Sequence, residues 1–153
     1  MSSIGRPDRT PLIALVRRAD RALQDEMVRE AHQRGRDDIK PAHNAVFSIL
    51  GPDGDRAANL AARAGITRQS MGEVVRDLVG LGILEMVPDP HDRRAKLVRY
   101  SEAGKAFAES GYRHITDLER RFEEEFGEDY AAARRVLERL VTLLAEVTPE
   151  AQG

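Results

Sequence analysis

TRQSMGEVVRDLVGLGILEMVPDPHDRRAKLVRYSEAG, residues 67–104, changes from helical to strand periodicity around a charged turn, and its reading decides the fold. Met71, Val74, Val75 and Leu78 recur at helical spacing. Thr67 precedes them with a hydroxyl able to accept a first-turn N–H, and Gly80 with Gly82 can end the helix. Ile83 to Val87 and Lys96 to Tyr100 are short apolar-rich runs that read as paired strands. Between them Pro88, Asp89, Pro90, His91, Asp92, Arg93 and Arg94 form the turn. The pattern predicts a helix feeding a β-hairpin with basic residues at its tip.

Working toward the N-terminus, Gly65 separates that helix from a short alanine-rich one, Ala57 to Ala64, built around Leu60. Helix, tight turn and helix follow one another, with Ile66 free to pack inward. The GPDG run at 51–54 is a turn, and before it a helix is expected to begin near Pro41, with Ala45, Val46, Ile49 and Leu50 on its buried face. Pro11 to about Gln33 carries Leu12, Leu15, Val16, Ala19, Leu23, Met27 and Ala31 at helical spacing, after a short arm containing Pro and Arg. Toward the C-terminus, Ser101 can cap a helix that starts with Glu102 and continues through Phe107, Ile115, Leu118 and Phe122, with Gly104 and Gly111 weakening its first turns. A break at Gly127 precedes a last helix from about Asp129, whose Val136, Leu137, Leu140, Val141, Leu144 and Val147 form an apolar stripe ending at Pro149.

Length and composition bound what this pattern can build. The chain has 153 residues and no cysteine, which removes disulfides, thiolate metal ligands and thiol nucleophiles. No apolar run approaches the roughly 18 residues that span a bilayer, and no secretory signal opens the chain, so a cytoplasmic protein is expected. The formal charge of -2 conceals an uneven distribution. Residues 1–55 carry 9 basic and 9 acidic side chains, residues 56–105 carry 9 and 6, and residues 106–153 carry 6 and 11. A basic middle within a neutral-to-acidic chain suits one region that meets phosphate and another that meets protein.

A helix-turn-helix places the first residues of its second helix at base edges in the major groove. Here those are Thr67, Arg68, Gln69 and Ser70, and the face opposite the apolar stripe adds Gly72, Glu73 and Arg76. Gln suits adenine, Arg suits guanine or phosphate, and Glu can accept from the cytosine amino group. A solvated helix face would carry similar residues. In the hairpin, His91, Arg93, Arg94, Lys96 and Arg99 gather on one arm, and an arginine at its tip can enter a narrow minor groove. Asp92 can brace a neighbouring guanidinium, with Arg93 the residue held and Arg94 the one reaching DNA. An Asp–Arg pair that merely stabilises the turn is the plainer alternative.

At these residues the chain resembles the MarR family of bacterial winged helix-turn-helix transcriptional regulators. The resemblance rests on the DPHDRR turn at 89–94, the GLG at 80–82 and the SEAG at 101–104, and is strongest from Ala57 to Lys105. KPAHNAVF at 40–47 and QSMGE at 69–73 are similar to one branch of that family. It implies a mainly α fold with a small β-hairpin wing: a winged helix-turn-helix over 40–105 and a helical dimerisation region over 10–36 and 106–148. It also implies an obligate homodimer, and the apolar stripes of the first and last helices agree, although an intramolecular bundle would bury them too. Glu73 stands where many members carry Arg or Lys, so their base preferences do not transfer.

The resemblance further implies a small, often aromatic or phenolic acid as effector, with Arg17, Arg21, His43 and Phe47 as candidate contacts. His43 also fits a plain helix-surface or interface role. No cofactor is expected. His32, His43, His91 and His114 lie on separate elements without metal-ligand spacing, and no catalytic motif appears, so an enzyme is not expected. The expected function is a sequence-specific, double-stranded-DNA-binding regulator, a ligand-responsive repressor on a palindromic operator, associated with the bacterial nucleoid when bound. The alternative is a winged-helix module that serves protein partners.

Overall fold

The computed structural model describes residues 8–147; the first seven residues of the N-terminal arm and Pro149 lie outside them. Six helices and one antiparallel hairpin follow in the order α1 (Leu12–Gln33), α2 (Asn44–Phe47), α3 (Ala57–Ala64), α4 (Arg68–Gly80), β1 (Leu84–Asp89), β2 (Asp92–Tyr100), α5 (Glu102–Phe126) and α6 (Glu128–Val147). The fold is mostly helical and of the winged-helix type. Where one helix was expected from Pro41, a single 3-10 turn, Pro41–His43, leads into the four-residue α2. Pro41 occupies a first-turn position, as its missing N–H allows.

The chain divides into two compact units after Gly111. In the first, Leu60, Met71, Val75, Leu78, Ile83, Leu84 and Val98 join Val46 and Leu50 in a buried core. Burying a side chain of this size contributes about 1.5–3 kcal/mol relative to leaving it in water, so the stripe read from the sequence of α4 fixes which way that helix faces. By its contacts within the chain α1 belongs to this unit, where Val28 and Ala31 join the same core. The second unit holds the rest of α5 and all of α6, where Phe122 lies 6.3 Å from Phe126 and 6.1 Å from Tyr130, ring centre to ring centre. Glu119 accepts a hydrogen bond from Arg134 at 2.7 Å in that unit.

Two joints set the geometry around α4. Gly65 adopts φ 68°, and the N–H groups of Ile66 and Gly65 return to Ala61 and Ala62, the paired bonds that close a helix C-terminus around a left-handed residue. The tight turn that results sets α4 directly after α3. At the other joint, the Ser101 hydroxyl accepts the Gly104 N–H at 3.0 Å, capping α5, while the Ser101 N–H donates to Ile83 O at 3.0 Å. A β-carbon at position 104 would collide with the Ile83 carbonyl. Gly104 is therefore no mere weakness in α5: its missing side chain lets the helix start against the chain entering the wing.

Gly104→Ala is expected to cost about 1–3 kcal/mol of stability, because the clash is with backbone that cannot move aside. Urea unfolding should show a lower midpoint with an unchanged slope.

Candidate nucleic-acid interface

The start of α4 is built by Thr67. Its Oγ1 accepts the Ser70 N–H at 3.0 Å and donates to Ser70 Oγ at 2.8 Å. Such a cap contributes about 1 kcal/mol, and it turns the two hydroxyls toward each other. With Met71, Val75 and Leu78 buried, Arg68, Gln69, Ser70, Glu73 and Arg76 are exposed. The expected reading face is thus on one side of one helix.

The hairpin departs from the expected boundaries in an informative way. Its strands run further toward the tip, leaving only Pro90 and His91 as the turn between Asp89 and Asp92. Pairing then jumps from Asp89↔Asp92 to Pro88↔Lys96, so Arg93, Arg94 and Ala95 bulge out of the ladder. The arginines sit in β2 just behind the tip rather than in the turn, because the short turn closes before them. A third segment joins the wing from the loop after α2: Asp55 N donates to Val98 O at 2.9 Å and Val98 N to Asp55 O at 2.8 Å.

The brace of the wing is also other than expected. Asp92 Oδ1 accepts the backbone N–H of Arg94 at 3.1 Å, and no ion pair joins Asp92 to Arg93 among the described residues. The guanidinium clamp is Arg56 on Asp89, with Nε 2.7 Å from Oδ2, while Asp89 Oδ1 takes the His91 N–H at 2.9 Å. Asp89 is 5% exposed. The His91 N–H and then Arg56 hold its carboxyl below the usual carboxylate range. Nothing local in the sequence marks this pair, since its members lie 33 positions apart.

Ion pairing sorts the cations of this region. Lys40 lies against Asp77, Arg56 against Asp89, Arg63 against Asp55, Arg99 against Glu85 and Lys105 against Glu102. Arg68, Arg76, Arg93, Arg94 and Lys96 have no acidic partner among the described residues, and all are exposed. Within residues 40–105, the Lys and Arg side chains without an acidic partner among the described residues all lie on α4 or β2.

The candidate effector residues are only partly brought together. His43 and Phe47 meet edge to face at 6.3 Å, and Phe47 lies 5.2 Å from Phe107, over which Arg36 is placed at 5.5 Å. His43 is 1% exposed and fully committed: Nδ1 accepts the Lys40 N–H at 3.1 Å, and Nε2 donates to Asp77 Oδ2 at 2.8 Å. That contact, with Lys40 Nζ at 3.1 Å, holds the Asp77 carboxyl below its ordinary range and ties α4 to the turn before α2. His43 is therefore not a surface histidine. Arg17 and Arg21 are exposed on α1.

Strand pair, third segment and two-helix turn define a winged helix-turn-helix. Residues 37–95 match the MarR family. Among solved structures, the chain is similar to the transcriptional regulator PA4135 at 26% identity, with 92% of this chain and 100% of that one aligned and a TM-score of 0.67. It is also similar to the transcriptional repressor CouR bound to a 23-mer DNA duplex, at 23% identity, 88% and 92% coverage and a TM-score of 0.66. Wild-type MarR from E. coli in its apo form aligns at 20% identity, 88% and 98% coverage and a TM-score of 0.67. No curated protein sequence matches this chain. The match to the MarR family covers the winged unit of the chain, and the members of that family are transcription regulators rather than enzymes. No helix among the described residues is long and apolar enough to cross a membrane.

Asp89 provides a pH test with a defined sign. Its folded-state pKa is depressed, so its stabilisation is complete above the unfolded value of about 3.9 and disappears as pH falls through the lower folded value. Asp89→Asn is expected to unfold at a lower temperature than the parent near neutral pH, and thermal scans should show the gap closing below about pH 4.

Proposed function

We propose that this protein is a sequence-specific double-stranded DNA-binding regulator that acts as a homodimer on a palindromic operator and represses until a small ligand releases it. The sorting of cations carries the reading. A fold that leaves Arg68, Arg76, Arg93, Arg94 and Lys96 unpaired while neutralising the basic side chains around them keeps positive charge where phosphate can take it. Gln69, Ser70 and Glu73 on α4 read base edges in the major groove, while Arg94, with Arg93 and Lys96, enters the adjacent minor groove. Thr67 acts mainly by starting α4, and Asp92 by shaping the backbone beneath Arg94.

The partner in dimerisation is a second copy. On α1, Ile13 is 72% exposed and Leu12, Leu15 and Leu23 about half; on α6, Val141 is 69% exposed and Val136, Leu143 and Leu144 more than half. Apolar stripes of that extent need a cover, and a twofold partner supplies the same stripes in return. An aromatic or phenolic acid belongs to this proposal as effector, with Phe47 as the ring contact and Arg17 or Arg21 as the cation. His43 can join it only when Asp77 releases its Nε2, which would loosen α4 and couple ligand to DNA. A protein acting on the chromosome works in the cytoplasm.

Selection from random duplexes should recover a palindrome with half-sites about one helical turn apart. Arg94→Ala should bind that duplex about tenfold or more weakly, reduce the slope of log affinity against log salt by about one, and remain a dimer in sedimentation. Recovery of no duplex would favour the protein-partner module.

A further inference from the structure

The tip of the wing is poor in backbone donors. Pro88 and Pro90 flank Asp89, and neither has an N–H to give to the ladder. Opposite them, Arg93, Arg94 and Ala95 bulge out between the pairs Asp89↔Asp92 and Pro88↔Lys96. Side chains supply the missing ties. Asp89 uses both carboxylate oxygens: Oδ1 accepts the His91 N–H at 2.9 Å, inside the turn, and Oδ2 accepts from Arg56 Nε at 2.7 Å. Beyond the turn, Asp92 Oδ1 accepts the Arg94 N–H at 3.1 Å. Of these three bonds, the one from Arg56 reaches outside the hairpin. Arg56 immediately precedes α3, and Leu60 and Ala61 of α3 share the buried core with Met71, Val75 and Leu78 of α4. The tip is thus tied, through one guanidinium, to the helices beside it.

Arg56 is placed to hold rather than to meet phosphate. Asp89 raises its pKa above the ordinary value, and Asp92 and Asp55 add to the effect. Arg93 and Arg94 have no acidic partner among the described residues. We infer that Arg56 is a positioning residue for DNA binding, which acts through Asp89 to fix the Arg93 and Arg94 bulge relative to α4. The inference rests on the reading of this unit as one that binds DNA. Two elements that must enter neighbouring grooves together lose affinity when one of them has to be ordered on contact.

Arg56→Met removes the tie, and because it leaves the buried Asp89 carboxylate without its cation, Arg56→Met with Asp89→Asn is the companion variant. Affinity for the duplex selected by the parent is measured well below each unfolding midpoint, so that lost stability does not count as lost binding. Both variants are expected to bind about tenfold more weakly, the cost of ordering two long side chains and their turn on contact. Their slope of log affinity against log salt should match the parent's, whereas Arg94→Ala lowers it by about one. In a background of Arg93→Ala with Arg94→Ala, Arg56→Met should cost less than about twofold, since no bulged arginine is left to position. Without DNA, trypsin should cut after Arg93 and Arg94 about threefold or more faster in both variants, with cleavage after Lys105 unchanged. Parent-like affinity of both variants, an equal loss from Arg56→Met in both backgrounds, or parent-like cleavage of the bulge overturns the inference. A slope lowered by about one in Arg56→Met also overturns it, since Arg56 would then meet phosphate itself. If the parent enriches no duplex, the DNA reading fails instead, and the tryptic cut still reports whether Arg56 orders the bulge.

Discussion

Burial of Met71, Val75 and Leu78 sets the rotation of α4 about its own axis, and the remaining features of the winged unit depend on that orientation. With the apolar stripe held against Leu60, Ile83, Leu84 and Val98, the opposite face can only point outward. The stripe repeats through thirteen residues, so a rotation by one position would expose several large side chains at once. Each end of the helix is held separately. Thr67 ties the first turn, while Asp77 ties the last third to His43 and Lys40. A helix held at both ends and along one face is a rigid support for residues that must meet a second surface in register.

The charges follow from the same orientation. Carboxylates beneath the outer surface hold nearby cations in fixed positions, as Asp89 does for Arg56 and Asp55 for Arg63. Asp55 does so while its own backbone completes the wing beside Val98. On Asp55, burial raises the carboxyl pKa, but Asn59, the Arg56 N–H and Arg63 outweigh it and the net shift is downward. The acids near the wing serve structure, leaving the cations of its outer edge free. A net charge of -2 is compatible with a phosphate-binding surface for this reason: position and pairing matter more than the sum.

Much of this was legible in the order of residues. Periodicity located α1, α3 and α4 closely, because each carries a regular apolar stripe, and Thr67, Gly65 and Ser101 marked ends through local hydrogen bonding that reaches only a few residues. The tip of the hairpin was less legible. Its proline- and charge-rich run suggested a long turn, whereas antiparallel pairing extends to Asp89 and Asp92 and the surplus residues bulge out as Arg93, Arg94 and Ala95. The 3-10 turn before α2 was hidden for a similar reason, since the His43 and Asp77 contact that fastens it joins residues 34 positions apart.

The sequence by itself determined which faces are apolar, where the chain must turn and which segment carries the positive balance, since all of these depend on neighbours within one or two helical turns. The tertiary structure decided which charges are spent and which remain. Asp77 goes to His43 rather than to Arg76, Asp89 goes to Arg56 rather than to the arginines beside it, and Gly104 meets the Ile83 carbonyl. Those choices depend on distances between segments far apart in the chain, and folding alone brings them within hydrogen-bond reach.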